Sequence, residues 1–341
     1  MKKNLMTLGV LALFVLMAYG QEKKFALYSV AFYNMENLFD TIHDEGKNDY
    51  EYLPNGTNQW NTMKYKAKLK NMSEILSLLS TDKLPMGPAI IGVSEIENYR
   101  VLEDILKQPA LADRGYQYVH YEGEDQRGVD CAFFYNPKLF ELTNSKLVPY
   151  VYINDTIHKT RGFLIASGNI AGEKMHFIVN HWPSRAAASP ARERAGEQVR
   201  AIKDSLLRED SAAKIVIMGD MNDDPMDKSM AVALGAKRKP ADVGPTDLYN
   251  PWWDTLKKGY GTLMYKGKWN LFDQIVFTGN LLGTDRSTLK FYKHEIFRRD
   301  FMFQKEGKYK GYPKRTQAGG VWLNGYSDHL PTIIYLIKEV K

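Results

Sequence analysis

Five short polar motifs each close a hydrophobic run: Asn34-Met-Glu36, Ser94-Glu95, Asn180-His181-Trp-Pro-Ser-Arg185, Gly219-Asp220-Met-Asn222 and Ser327-Asp328-His329. Carboxylates, carboxamides and imidazoles together can hold a hard divalent cation, orient a water and stabilise charge on a phosphoryl oxygen. Glu95 follows the apolar run 89–93, and a carboxylate at the tip of a buried strand is costly unless a cation pairs with it. Glu97 shares its face in a regular strand and competes for that role; Glu95 is preferred because it lies nearer the apolar run. The same two-residue spacing places Asn34 and Glu36 on one face, suited to a cation or a phosphate oxygen. Gly219 lets the chain turn close to a ligand, so that Asp220 could deprotonate a water while Asn222 holds it. His181 could donate a proton to a leaving group and Arg185 could fork onto a phosphate. Asp273 opens a further strand and could hydrogen-bond His329 and keep it protonated. Taken singly, several motifs have plainer readings: a loop start at Asn34, a core or capping histidine at His181, a solvent turn at Asp328-His329. Five strand tips of this composition point instead to one metal-assisted hydrolytic site.

The elements that must position these residues follow from periodicity. Strands are expected at 27–34, 89–93, 117–120, 129–135, 147–151, 163–167, 175–180, 214–218, 261–265, 272–277 and 332–336. Helices are expected at 62–79, with Leu69, Met72, Ile75, Leu76 and Leu79 in helical spacing, from 101 to 106, and at 190–207, with Pro190 suited to a first turn. Asp223 and Asp224 are expected to cap the element that follows. Many strands with few, separated helices predict a sheet-on-sheet core with helices outside. The motifs run from residue 34 to residue 329 with no repeat or Pro/Gly-rich linker, which argues for one catalytic domain over 21–341.

Composition excludes little but narrows the setting. The chain has 341 residues, 44% hydrophobic and 25% charged, ample for a large core. Residues 1–20 read as a secretory signal peptide: Lys2 and Lys3, an apolar stretch shorter than the roughly 20 residues of a membrane span, then Ala18-Tyr19-Gly20. Export to the periplasm or beyond follows, with no stable membrane association. The single Cys131, inside an apolar strand, reads as a buried inert thiol. Net charge is +6, and residues 286–315 carry ten basic side chains against three acidic ones. That stretch is either a phosphate-facing surface or a solvated loop face.

The motif set Asn34-x-Glu36-Asn-Leu-Phe-Asp40, Asn180-His181, Gly219-Asp220-x-Asn222-Asp223 and Ser327-Asp328-His329 resembles the endonuclease/exonuclease/phosphatase superfamily, also called deoxyribonuclease-I-like, and within it the bacterial secreted type. The resemblance spans about residues 25–340. It implies a four-layer α/β/β/α sandwich with two central, mostly antiparallel sheets, and phosphoester hydrolysis with Mg²⁺ or Mn²⁺. It also implies that Glu95 is the main metal carboxylate, with Glu36 and Asp328 near the ion; many members carry Asp where Glu36 stands. Asp220 and Asn222 match the pair that orients water, Asp273 and His329 the acid–imidazole dyad, and His181 the second imidazole of a two-histidine subset. Asp130 is the candidate partner of His181.

On substrate the sequence favours a nuclease: export, the basic stretch, and Trp252, Trp253, Tyr260, Tyr265 and Trp269 ahead of Asp273 suit a polyanion with bases to stack. Burial in the core is an equal reading for most of those rings. The alternative is a phosphatase, or a diesterase acting on a lipid headgroup such as sphingomyelin or on a small phosphoester. No amphipathic basic helix for membrane docking is evident. An inactive scaffold that only binds is the remaining reading. No protein partner is identifiable.

Overall fold

A computed structural model describes residues 23–153 and 157–340; the proposed signal peptide, 1–20, lies outside them. The principal strands in chain order are β1 (Lys24–Leu38), β2 (Ile90–Ile96), β3 (Gln117–His120), β4 (Asp130–Tyr135), β5 (Glu141–Val148), β6 (Phe163–Ile170), β7 (Glu173–His181), β8 (Lys214–Asp220), β9 (Asp273–Thr278), β10 (Lys290–Ile296) and β11 (Thr332–Val340). The longer helices are α1 (Thr62–Leu78), α2 (Tyr99–Leu106) and α3 (Ser189–Glu209). One sheet has the order β10-β11-β1-β2-β4-β3. The other runs β5-β6-β7-β8-β9 and ends in the short strands Leu248–Tyr249 and Ala236–Lys237.

Each large sheet has a parallel pair at its middle, β1 with β2 and β7 with β8, flanked by antiparallel neighbours. Parallel strands finish at the same end, and an antiparallel neighbour starts there. The C-terminal tips of β1, β2, β7 and β8 and the beginnings of β9 and β11 are therefore gathered at one edge of the molecule.

Alternation along the strands then aims the side chains. Val30 and Phe32 of β1, Phe177 and Val179 of β7, Val216 and Met218 of β8, and Ile275 and Phe277 of β9 meet between the sheets in one apolar core. The next position on that inward face is Asn34 on β1, His181 on β7, Asp220 on β8 and Asp273 on β9. The polar cluster is thus the end of the hydrophobic core, not a separate surface feature. The outward faces pack against helices: Ala31, Tyr33, Ile91 and Val93 with α1 and α2, and Ile178, Ile215 and Ile217 with α3. This is the α/β/β/α sandwich.

Expected and observed elements differ mainly at the edges. The strand expected at 147–151 runs instead over Glu141–Val148. Lys290–Ile296 is a strand inside the stretch read only as basic; as an edge strand it carries lysines, which discourage further pairing. Its far end, at Lys290, pairs with Ile337, and the chain end at Ile296 pairs with Thr332. Arg286 and Lys290 therefore lie at the end of the sandwich away from the polar cluster, so the basic stretch is not one continuous phosphate-facing surface.

Candidate active site

Asn34 lies at the centre of the cluster. Its fully buried carboxamide donates from Nδ2 to Asp220 Oδ2 at 3.0 Å and to Glu95 Oε1 at 3.2 Å, joining the two sheets. Its Oδ1 accepts from the Glu36 backbone N–H at 2.8 Å. The backbone N–H of Asn37 donates to Glu95 Oε2, also at 2.8 Å. Asp220 accepts the Asn222 N–H through Oδ1 at 2.9 Å. His181 Nε2 is 3.7 Å from both Glu95 Oε1 and Asp220 Oδ2. His329 Nδ1 lies 2.7 Å from Asp273 Oδ2, and its Nε2 is 3.8 Å from Asp220 Oδ2. Residues from both halves of the chain therefore surround Asp220.

Glu36, Asn37, Glu95 and Asn222 all adopt positive φ, between 47° and 60°. Such left-handed backbone is costly for side-chain-bearing residues and persists where surrounding contacts impose it, commonly at functional sites. Here it also breaks strand alternation. At Glu95 the β1–β2 and β2–β4 registers shift. Glu97 consequently leaves the face of Glu95 and accepts the Asp40 N–H at 2.6 Å, where burial raises its carboxyl to about 9. The bulge keeps Glu95 with the cluster and takes Glu97 out of it. The two-residue spacing of Asn34 and Glu36 likewise does not behave as a regular strand.

The titratable groups divide sharply. Burial raises the Asp220 carboxyl to about 7, with Asp273 and Glu95 adding to the effect and His329 opposing it. Burial pulls His329 down, but Asp273 and Asp220 outweigh it and hold the imidazolium well above the usual histidine range. His181 goes the other way. Burial first, then Arg161, Arg127 and His329, keep it well below that range, so the ring is neutral near pH 7. A neutral, buried imidazole does not suit the proton-donor role expected of it. Its Nδ1 has no hydrogen-bond partner.

Several expected placements change. Asp130 does not approach His181; it accepts from the Gly123 N–H at 3.1 Å and lies 3.3 Å from His120, forming a separate group with Glu122. Arg185 is no free fork: the acidic loop after β8 captures it, with Asp227 at 2.9 Å, Asp224 at 3.3 Å and the Asn222 carbonyl at 3.1 Å, over the Phe272 ring. Asn222 directs its Nδ2 to the Trp182 carbonyl at 3.0 Å. Asp223 and Asp224 cap no helix; Asp223 pairs with Arg192 of α3 at 2.9 Å and Asp224 accepts the Leu271 N–H at 2.7 Å. Gly219 is required by its neighbour, because a Cβ there would lie 2.3 Å from the Asn180 carbonyl oxygen. Trp252 is wholly buried between the sheets, whereas Tyr260 and Tyr265 are exposed. Cys131 is buried in β4 with its thiol pushed up by burial.

Glu36 and Asp328 are tied together by a residue the motifs did not include. Arg315 donates from Nε to Glu36 Oε1 at 2.8 Å and from Nη2 to Asp328 Oδ2 at 2.6 Å. The Thr316 N–H takes the other Glu36 oxygen at 2.7 Å, and the fully buried Lys68 stands 4.0 Å away. The signal for Lys68 was present: it shares the buried stripe of α1 with Tyr65, Leu69 and Met72. A lysine there requires a partner. Arg315 had no such signal, since nothing local separates it from the other basic residues of its loop.

For a divalent ion, the groups that converge are Glu95, His181 and Asp220, whose ligand atoms lie within 4.8 Å of one another. Two carboxyl groups and a neutral imidazole fit Mn²⁺ or Mg²⁺, and the charge of Glu95, whose partners are all neutral, is what such an ion would balance. Glu36 and Asp328 fit less well, because both are already engaged by Arg315.

The family model for the endonuclease/exonuclease/phosphatase family matches residues 29–338. No curated protein matches the chain by sequence. Among solved structures, an endonuclease/exonuclease/phosphatase family protein from Bacteroides thetaiotaomicron has a TM-score of 0.58 at 15% identity, covering 93% of this chain and 97% of its own. A mannosyl-6-phosphatase from the same organism has a TM-score of 0.56 at 14% identity, covering 91% and 99%. D. rerio TDP2 complexed with a single-strand DNA product has a TM-score of 0.53 at 14% identity, covering 91% and 99%. At these identities the structural likeness speaks to the fold. The family match extends from β1 to β11 and takes in every strand that carries the cluster, so the chain belongs to the endonuclease/exonuclease/phosphatase family of metal-dependent phosphoester hydrolases.

Proposed function

We propose that the chain hydrolyses a phosphodiester of nucleic acid by direct attack of an activated water. The observation that carries the reaction is Asp220: a buried carboxylate raised to about 7, held by Asn34 and facing the His329 imidazolium. A base with a pKa near the working pH is suited to taking a proton from water. Asn34 fixes its orientation, Asn222 anchors the loop beside it, and His329 presents fixed positive charge where the phosphoryl oxygens gain negative charge. His181, neutral, adds a hydrogen bond or a ligand. Glu95, with neutral His181 beside it, would hold Mg²⁺ or Mn²⁺, which when bound supplies Lewis-acid polarisation of the phosphoryl group.

Support for nucleic acid comes from the site's rim. The hairpin that includes Leu263–Tyr265 and Lys268–Asn270 bridges to His329 and bears exposed Tyr265, with exposed Tyr260 just before it. The Gly267 N–H donates to the Tyr312 hydroxyl at 2.6 Å, bringing the loop with exposed Lys305, Lys308 and Lys310 alongside. Stackable rings beside cations suit single-stranded polyanions. One observation favours a second reading, a small polar phosphoester. Beside Glu36 lies a cavity of about 200 Å³ lined in part by Tyr52, Asn58, Arg315 and Gln317, large enough for one compact hydroxylated group. Of the structural neighbours, one is a complex with a single-strand DNA product and another is named a mannosyl-6-phosphatase. We further propose that residues 1–20 direct export and are removed.

The test is a panel of single-stranded DNA, RNA, inositol and sugar phosphates, sphingomyelin and a chromogenic diester, with and without chelator. Activity on DNA that falls steeply with added salt supports the nuclease. Turnover of sugar phosphates alone, insensitive to salt, replaces it with the phosphatase. Inactivity on all of them with both ions would leave a binding scaffold.

A further inference from the structure

We infer that Arg315, backed by Lys68, takes the place of a second cation, so that the site holds a single divalent ion on the Glu95 side. This rests on the metal-dependent reading above. Glu36 and Asp328 are the carboxylates that the family resemblance places near the ion beside Glu95. In the structure both are satisfied without one. Each Glu36 oxygen accepts a charged or backbone donor, from Arg315 and from Thr316, and Arg315 also reaches Asp328. Lys68 is buried, donates to Thr316 Oγ1 at 2.5 Å and to the Tyr326 carbonyl at 2.7 Å, and completes two cations against two carboxylates. An ion entering there would have to displace the guanidinium that bridges Glu36 and Asp328 and would lie close to the buried Lys68 ammonium, which is unfavourable in a poorly solvated site.

Glu95 and Asp220 stand in contrast. Their partners are Asn34 and backbone N–H groups, all neutral, and His329 is shared with Asp273. The carboxylate left without a cationic partner is therefore Glu95, whereas Asp220 already faces the His329 imidazolium. Arg315 is also 44% exposed, next to the cavity that opens beside Glu36.

The decisive measurement is Mn²⁺ stoichiometry, by electron paramagnetic resonance titration or native mass spectrometry of the folded chain. Thermal unfolding of each variant checks that it is folded. The wild type should bind one Mn²⁺. Glu95→Gln should weaken it about tenfold or more, whereas Glu36→Gln and Asp328→Asn should leave the count at one. Arg315→Gln should raise the count to two, and Arg315→Gln combined with Glu36→Gln should return it to one. Two ions in the wild type, loss of the single ion in Glu36→Gln or Asp328→Asn, or no second ion in Arg315→Gln would each overturn the inference. Absence of any bound Mn²⁺ would defeat the metal-dependent reading itself, which is a distinguishable outcome.

Discussion

His329 donates from Nδ1 to Asp273 Oδ2 at 2.7 Å, with both side chains buried, and the other oxygen of that carboxylate has no partner. The pair joins a loop before β11 in one sheet to the first residue of β9 in the other. It also stores a positive charge directed at Asp220. Replacing Asp273 with Asn removes the counter-charge and leaves His329 to burial, which favours the neutral ring. We expect turnover to fall by about 10²–10³. In NMR titration the His329 midpoint should move from above the ordinary histidine range to below it. An unmoved midpoint would show that Asp273 does not set the charge.

Asp220→Asn is close to isosteric and keeps one acceptor for the Asn222 N–H. It loses the base and places an amide against Asn34 Nδ2. Turnover on the best substrate should drop by about 10³ or more, while the melting temperature changes by only a few degrees. Full turnover in purified Asp220→Asn would remove Asp220 from the role of base.

Gly219→Ala tests a purely steric requirement. The added methyl would lie 2.3 Å from the Asn180 carbonyl oxygen and 2.7 Å from Asn180 Cβ, across the parallel β7–β8 pair. Backbone must move to admit it. A destabilisation of about 2–3 kcal/mol is expected, read from urea unfolding. A neutral substitution would mean that the two strands are free to part at their tips.

His294 sits edge-on to Trp252 and stacks against Phe291, with its Nε2 2.9 Å from Thr255 Oγ1. Burial, with a smaller push from Lys258, lowers it to about 4. A histidine depressed in the folded state contributes stability above its unfolded pKa of about 6.5, and that contribution is lost as pH falls towards 4, because the unfolded chain takes up the proton first. The loss should reach about 3 kcal/mol by pH 4. Urea unfolding across pH 4–7 should show a shallower acid slope in His294→Phe than in the wild type.

Much of the architecture was legible because it depends on patterns local in the chain. Alternation placed Phe32, Val179 and Met218 in strands, and helical spacing placed Leu69 and Met72 on the buried face of α1. The residues that end those inward rows, Asn34, His181 and Asp220, were legible for the same reason: a polar side chain one step beyond an apolar row is a local event. Lys290–Ile296 was missed because edge-strand lysines mask alternation.

What tertiary structure decided was how the charges are shared. The motifs and the family resemblance put Glu36 and Asp328 near the ion held mainly by Glu95, and Arg185 read as a free fork. Only folding brings Arg315, 279 residues from Glu36 along the chain, between two of those carboxylates, and only the loop after β8 surrounds Arg185 with Asp224 and Asp227. The left-handed backbone at Glu36, Glu95 and Asn222, which interrupts the strand alternation, could not be read from residue spacing either. Composition and periodicity determined which strands end in chemistry. Long-range packing determined which of those groups remain unpaired, because a charge is neutralised by what lies near it in space, whatever its distance along the chain.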